Sequence, residues 1–444
     1  MRLLLVTYYF PPSGGAGVQR TLKWVKYLRD FGVEPVVLTV EAGAYPKTDA
    51  TLARDVPPGV AVHRTRSLDP FGAYARLTGR SRQQAVAETS GHLGEGASPA
   101  ERFARFVRAN VFVPDARVGW VPFAVQRGLQ LLRDEPFDAV LTSGPPHSVH
   151  LAGWMLRART GLPWIADFRD PWTDINYYDE LPRTAAAHAL DRWLERSVLE
   201  RADRVVTVSP GWRDLLLGKG SRDPSDFAVI HNGFDPADFG PADFGPAEAP
   251  PEDRFTLVYV GSLYGSRSPD ALWQALATLR ERGEIERLRL RLVGRIGDDV
   301  LATLRGYGLD VITEHVPYLP HDEAVREMQR ATALLLTVEP YRHERGNLTG
   351  KVYEYLGAGR PVVALGPAEG DAADLLRETG AGRMLDRDDS DSVAEYLRSL
   401  YEKWECGDRL TGASPDVAAP YSRRAQAGEL AALVDGMRTR GGDR

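Results

Sequence analysis

The sequence predicts an α/β protein made of two doubly wound domains with parallel sheets. Three observations carry that reading. Short continuous apolar runs alternate with segments of helical periodicity, a Pro-rich stretch interrupts the alternation near the middle, and the alternation restarts after it with a glycine-bearing turn in the matching place. At 444 residues the chain is too long for one ordinary core, given roughly 150 residues per domain.

RLLLVT (2–7) reads as a buried strand, the glycine-rich turn SGGAGVQR (13–20) follows it, and apolar positions at helical spacing run from residue 18 to 31. Gly32 closes that helix and VEPVVLTV (33–40) is the next strand, so a right-handed β-α-β crossover opens the chain. Residues 41–110 are poorly periodic and rich in Arg, Gly and Ser, which reads as an insertion with some helix. Strands are then expected at 138–143, 163–168, 203–209 and 228–231, with helices at 150–160 and 187–202.

An Asn-Gly turn ends this half, which is assigned to residues 1–235. PADFGPADFGPAEAPPED follows, a tandem duplication too rich in proline to build a core, and 236–253 is taken as the linker. The second domain, 254–420, repeats the pattern: strands at 255–262, 288–294, 333–338 and 361–365, helices at 269–282 and 350–358, and VITEHVP and HDEAVREMQRA between them. Residues 421–444 contain an amphipathic helix expected to pack back across the first domain.

Composition narrows the function classes. A net charge of −6 gives no global attraction to nucleic acid. The single cysteine, Cys406, excludes an internal disulfide framework and a Cys-rich metal site and suits a reducing compartment. The amino-terminal apolar run is about seven residues long and enters Pro-Pro rather than a cleavage site, and no run reaches the roughly eighteen apolar residues of a membrane span. The expected location is the cytoplasm, with the inner face of the membrane as the alternative. That alternative rests on residues 101–127, which interleave Arg with Phe and Trp in a pattern that suits either an anionic lipid surface or an ordinary helix with its aromatic face in the core.

The segment GNLTGKVYEYLGAGRPVVAL (346–365) holds the sharpest chemistry. Thr349 is placed to cap a helix that begins at Gly350, at the carboxyl end of a buried strand, where open parallel sheets bind ligands. Backbone N–H groups there, the positive end of the helix dipole and Lys351 together suit a diphosphate. Glu354, one turn on, can accept from vicinal ribose hydroxyls. Gly261 and Arg267 in GSLYGSRSP (261–269) occupy the other turn of this domain, Arg267 as a planar phosphate clamp, with Arg295 a further candidate. In the first domain, Gly14, Gly15 and Gly17 allow close backbone approach but lack the ordered dinucleotide pattern. His147, Arg169 and Asp170 each follow a strand and are the catalytic candidates, expected to contact sugar or acceptor. The D-x-D string in LDRDDSDS (385–392) reads as a polar turn, GKGS (218–221) lacks the upstream glycine of a P-loop, and neither metal nor cofactor is expected.

KVYEYLGAGRPVVA, VIHNGFD, YVGSLYGSRSP and LLVTYYFPPSGGAGVQR resemble the retaining glycosyltransferases of family 4, and ADFRDPW (166–172) resembles a bacterial polysaccharide subgroup. The resemblance covers residues 2–435, with 41–110 matching least. It implies the GT-B fold, two Rossmann-like domains facing each other across a cleft. It also implies a nucleotide-diphosphate sugar donor bound by the second, a glycan or lipid-linked glycan acceptor bound by the first, and no metal. Glu354 matches the later glutamate of the family's Glu-x7-Glu motif, which holds the ribose. The earlier glutamate, which contacts the donor sugar, is Gly346 here, with Glu339 and Glu344 nearby at other spacings. Arg169 or Asp170 stands where relatives often place a histidine. A sugar-nucleotide epimerase of the same fold and a silent sugar-nucleotide-binding protein are the alternatives.

Overall fold

The computed structural model describes residues 1–43, 45, 47–68, 99–176, 178–240 and 253–441. They form two compact units, one of residues 1–231 with 426 onward and one of 232–425.

In the first unit β1 (Arg2–Thr7), β2 (Glu34–Val40), β3 (Val62–Thr65), β4 (Ala139–Gly144), β5 (Trp164–Phe168), β6 (Arg204–Thr207) and β7 (Phe227–Val229) form one sheet in the order β3-β2-β1-β4-β5-β6-β7. All its pairings are parallel. The helices are α1 (Ala16–Tyr27), α2 (Pro99–Val111), α3 (Val121–Asp134), α4 (Ser148–Thr160), α5 (Ala185–Arg201) and α6 (Pro210–Leu217). Alternate residues of β1 enter different cores, Leu4 and Val6 on one face and Leu3 and Leu5 on the other, because side chains of a strand alternate between faces. Both faces are therefore covered, which is why β1 reads as an unbroken apolar run.

Two boundaries differ from the sequence expectation. The stretch 41–110, read as an insertion, supplies the edge strand β3, paired to β2 from Val37↔Val62 to Val40↔Thr65. Edge position leaves β3 half-exposed, so it carries no apolar run to betray it. Residues 69–98 of that stretch lie outside the described residues. The first domain ends at 231 rather than 235, and the first part of the expected linker is structured. Asp235 caps the short helix Pro236–Phe239 by accepting from the Ala237 N–H, and Phe234 and Phe239 meet edge to face at 5.6 Å inside the second unit's core. Residues 241–252 lie outside the described residues.

The second unit holds β8 (Phe255–Leu263), β9 (Leu288–Ile296), β10 (Thr313–Val316), β11 (Ala333–Thr337), β12 (Val362–Gly366) and β13 (Gly382–Asp386) in the order β10-β9-β8-β11-β12-β13, again all parallel. Its helices are α7 (Asp270–Glu281), α8 (Asp298–Gly306), α9 (His321–Arg330), α10 (Gly350–Ala358), α11 (Asp371–Thr379), α12 (Ser390–Glu405) and α13 (Pro415–Ala418). Each sheet thus reverses its strand order beside its first strand, the topological switch at which such sheets bind ligands. The last helix, α14 (Arg423–Gly441), buries Ala427, Leu430, Ala431, Val434 and Met437 with Leu3, Leu5, Val18 and Leu22 in the first unit.

Candidate active site

In the second unit the site is built at the carboxyl ends of β8 and β11. α10 opens at Gly350, which is exposed, and its first-turn N–H groups have no acceptor within the helix. Thr349 occupies the position before it, but its hydroxyl makes no capping hydrogen bond and is buried without a partner among the described residues, a correction to the capping role read from sequence. Capping would require the hydroxyl to reach back to the first-turn N–H groups.

Lys351 runs from the first turn of α10 toward β8. Its Nζ donates to the Tyr259 hydroxyl at 2.8 Å and lies 4.3 Å from that ring's centroid. Gly261 makes this possible, since a Cβ there would lie 2.2 Å from Lys351 Nζ. Burial, and then the Arg267 guanidinium, pull the ammonium down to about 8, with Glu354 opposing. Arg267 pairs with Glu339 at 2.7 Å across the ends of β8 and β11. Glu354 is half-buried, and burial pushes its carboxyl up from the usual range. Gly261, Arg267, Gly350, Lys351 and Glu354 are thus brought together. Arg295 is exposed on β9, in register with Ser262, and forms no ion pair among the described residues.

The loop between β11 and α10 shows what became of the two glutamates near Gly346. Glu339 stays at the site through Arg267, whereas Glu344 is drawn to Arg387 after β13, at 2.5 Å. Gly346 itself is buried. Two cations, one of them costly to keep charged without an anion, beside an open helix amino terminus form a receptor for a dianionic group.

In the first unit Gly15, at a φ of 90°, turns the chain into α1. Gly14 N–H donates to the Lys47 carbonyl at 2.9 Å, and a Cβ on Gly14 would press on Asp49 Cβ at 3.0 Å. Gly17 gives its carbonyl to Arg169, whose Nε also donates to Gly144 O at 2.9 Å and whose other terminal nitrogen donates to Pro145 O at 2.6 Å. Arg169 is therefore a clamp between the loops after β1 and β4 rather than a free contact for sugar. Asp170 beside it is only partly buried and has no hydrogen-bond partner among the described residues; burial raises its carboxyl. His147 stacks on Trp172, and burial keeps it neutral, well below its usual titration range.

Sequence reasoning did not single out Tyr259, or the buried trio of Arg20, Asp167 and Ser143. Arg20 donates to Asp167 at 2.9 and 3.1 Å and to the carbonyls of Ile230 and His231, and Ser143 Oγ donates to Asp167 at 2.6 Å. Arg20 and Asp167 both lie within quoted motifs, SGGAGVQR and ADFRDPW. A charge in an otherwise apolar strand and another on a helix face were the available signals.

A pair of doubly wound parallel units, the second with Lys351 and Arg267 gathered at its strand ends, fits the GT-B class. Residues 14–233 match the glycosyl transferase 4-like domain and residues 254–403 the glycosyl transferases group 1 domain. The chain belongs to the family 4 glycosyltransferases, which are transferase enzymes. It is 29% identical over 248 residues to a D-inositol 3-phosphate glycosyltransferase of Nocardioides sp., covering 51% of this chain and 52% of that one. It is 30% identical over 222 residues to another, of Catenulispora acidiphila, covering 47% and 51%. The chain spans about half the length of the curated relatives it matches. Among solved structures it is similar to a sucrose-phosphate synthase from Thermosynechococcus elongatus, with a TM-score of 0.61, 14% identity and 98% of each chain covered. Anabaena HepE in complex with UDP and glucose gives a TM-score of 0.55 at 15% identity, covering 100% of this chain and 98% of that one.

Proposed function

We propose that this chain is a retaining glycosyltransferase that moves a sugar from a uridine-diphosphate-type donor to a hydroxyl of a glycan or lipid-linked glycan. The observation that carries the reading is the pairing of Lys351 and Arg267 at the strand ends beside the opening of α10, with the Lys351 ammonium partly desolvated. Similarity to a fold that holds UDP and glucose supports the nucleotide.

In the reaction the bond between the sugar's anomeric carbon and the diphosphate oxygen breaks, and a bond to the acceptor oxygen forms on the same face. The acceptor proton passes to the departing phosphate oxygen, so no enzymic base is required. Charge builds on the diphosphate as the oxocarbenium-like centre develops, and Lys351, Arg267 and the α10 amino terminus stabilise it. These groups also supply the charge compensation a divalent ion would otherwise give, so activity should persist in EDTA. Glu354 holds the ribose. Glu339, tied to Arg267, takes the place nearest the donor sugar that Gly346 cannot fill.

A second, compatible reading concerns location. Phe103 is 68% exposed and Phe106 45% exposed on α2, beside the exposed Arg102, a face suited to an anionic lipid surface.

The test is to incubate UDP-sugars with and without an acceptor panel and identify products by mass spectrometry and NMR. Acceptor-dependent release of UDP with retained anomeric configuration supports the proposal. Epimerised donor without acceptor, or an inverted product, overturns it.

A further inference from the structure

We infer that the Arg267–Glu339 pair is an exchangeable latch that selects a neutral hexose as the donor sugar; this rests on the transferase reading above. The diphosphate takes the guanidinium from Glu339, and the released carboxylate accepts from hydroxyls of the sugar. Binding of the phosphates and recognition of the sugar are thereby coupled through one ion pair of the second unit.

The pair is built so that only side chains need to move. Val338, the residue before Glu339, is 4% exposed and its N–H donates to Leu365 O at 2.9 Å, which fixes the chain just past β11. Across from it Arg267 closes the short helix Gly265–Arg267, whose first N–H donates to Asp299 Oδ2 at 2.8 Å. Between these anchored backbones the two side chains share a single hydrogen bond, from Arg267 Nη2 to Glu339 Oε2 at 2.7 Å. They are 33% and 25% exposed, so an incoming ligand reaches them, and an ion pair that open to water is weak.

Arg267 is under-used by this partner. A guanidinium carries five N–H donors in a planar fork, and Glu339 takes one of them. Its Nε is buried with no acceptor among the described residues, although buried donors are rarely left so. The guanidinium carbon lies 5.3 Å from the centre of the exposed Tyr264 ring, a surface on which it can turn while keeping its cation–π contact. A diphosphate brings more charge than one carboxylate and meets the fork at two points. It therefore displaces Glu339. The Arg267 charge already opposes that of the Lys351 ammonium, and an anion shared by the two relieves both.

Glu339 has no other ion-pair or hydrogen-bond partner among the described residues. Once Arg267 turns away, this partly desolvated carboxylate needs donors, and a neutral hexose supplies hydroxyls. A uronate would instead set carboxylate against carboxylate, a like-charge contact that rejects the ligand.

Titration calorimetry on the full chain tests this with UDP, pyrophosphate, UDP-glucose and UDP-glucuronate as probes, on wild type, Glu339→Gln, Arg267→Gln and the double variant. The two halves of the donor should respond in opposite directions. Glu339→Gln removes the competitor for Arg267, so UDP and pyrophosphate should bind about threefold tighter, the scale of a partly exposed ion pair. Wild type should prefer UDP-glucose to UDP-glucuronate by about tenfold or more, and Glu339→Gln should cut that preference to about threefold or less. In the Arg267→Gln background, Glu339→Gln should no longer tighten UDP, because nothing is left to compete for. Weaker or unchanged binding of UDP and pyrophosphate to Glu339→Gln would mean that the carboxylate only positions Arg267, and overturns the latch. Equal affinity of wild type for the two UDP-sugars, or a preference for the glucuronate, overturns the neutral donor. Tighter pyrophosphate binding by Glu339→Gln with no binding of UDP to any form would instead sink the transferase reading and leave the exchange at Arg267 standing.

Discussion

Gly261→Ala offers a way to disarm the proposed diphosphate receptor without removing a charge. The new methyl would sit 2.2 Å from Lys351 Nζ and 2.4 Å from Cε, where ordinary contact begins at 3.4 Å. The lysine end is flexible, so folding is spared the collision, but the ammonium must retreat by roughly 1 Å and gives up its 2.8 Å bond to Tyr259. Loss of one hydrogen bond to a charged group is worth about 1.5–3 kcal/mol, so UDP affinity should fall about 10- to 150-fold. Alanine at a φ of 137° adds strain of order 1–3 kcal/mol, seen as a melting point several degrees lower. Calorimetry on Gly261→Ala, Lys351→Met and the double variant separates the two effects. If the methyl acts through Lys351, the double variant binds UDP no worse than Lys351→Met alone. The neighbouring Gly294 gives the contrast, because a Cβ there meets the Gly261 carbonyl oxygen at 2.1 Å and backbone cannot swing aside. Gly294→Ala should therefore lose folded protein outright. A well-folded Gly261→Ala that binds UDP within about twofold of wild type, well under the energy of one charged bond, would refute this account of the lysine.

The remaining expectations concern titration, the ribose, the core and the lipid face. Lys351 sits at about 8 in the fold against 10.5 in the unfolded chain; its depressed position means the ammonium is disfavoured by folding. Wild-type stability relative to Lys351→Met should therefore rise between those values. UDP affinity should fall across the same window, by up to about tenfold per pH unit for one linked proton; a flat profile to pH 10 would exclude the ammonium from binding. Glu354→Ala should weaken UDP by about 1–3 kcal/mol and 2′-deoxy-UDP by much less, and equal losses for both would remove it from the ribose. Asp167→Asn strands the Arg20 charge, where both partners are at most 1% exposed, and should cost about 3–5 kcal/mol in urea unfolding; a loss under about 1 kcal/mol, the scale of an exposed pair, would contradict a dry buried pair. Phe103→Ser with Phe106→Ser should lower sedimentation with phosphatidylglycerol vesicles several-fold. Unchanged sedimentation would place the lipid contact elsewhere or nowhere.

The fold was legible because burial on both sheet faces writes strands such as RLLLVT and ALLLT as apolar runs, and that signal fails where burial is partial. β3, VHRT at the sheet edge, carries two charged or titratable side chains in four residues and looks like loop. Phe234 and Phe239 lie within turn-rich sequence, and only the position of Gly357 explains them. A Cβ there would lie 2.8 Å from Phe234 and 2.9 Å from Phe239, so a glycine on α10 admits the aromatic pair that ties the start of the second unit to its core. At the site, residue type announced the charges but not their geometry. Lys351 and Arg267 follow from phosphate chemistry, whereas Tyr259, an inward strand residue, becomes a lysine anchor only because Gly261 two positions on has no side chain to block the approach. Arg169 shows the converse error. A guanidinium after a parallel strand suggests a ligand contact, yet three backbone carbonyls across 150 residues of sequence take up its donors, and carbonyls carry no side-chain signature. Sequence exposes the groups that bring charge; which charges are already spent on the protein itself is decided by backbone atoms, and that distinction separates Asp170 and Lys351 from Arg169 and Arg20.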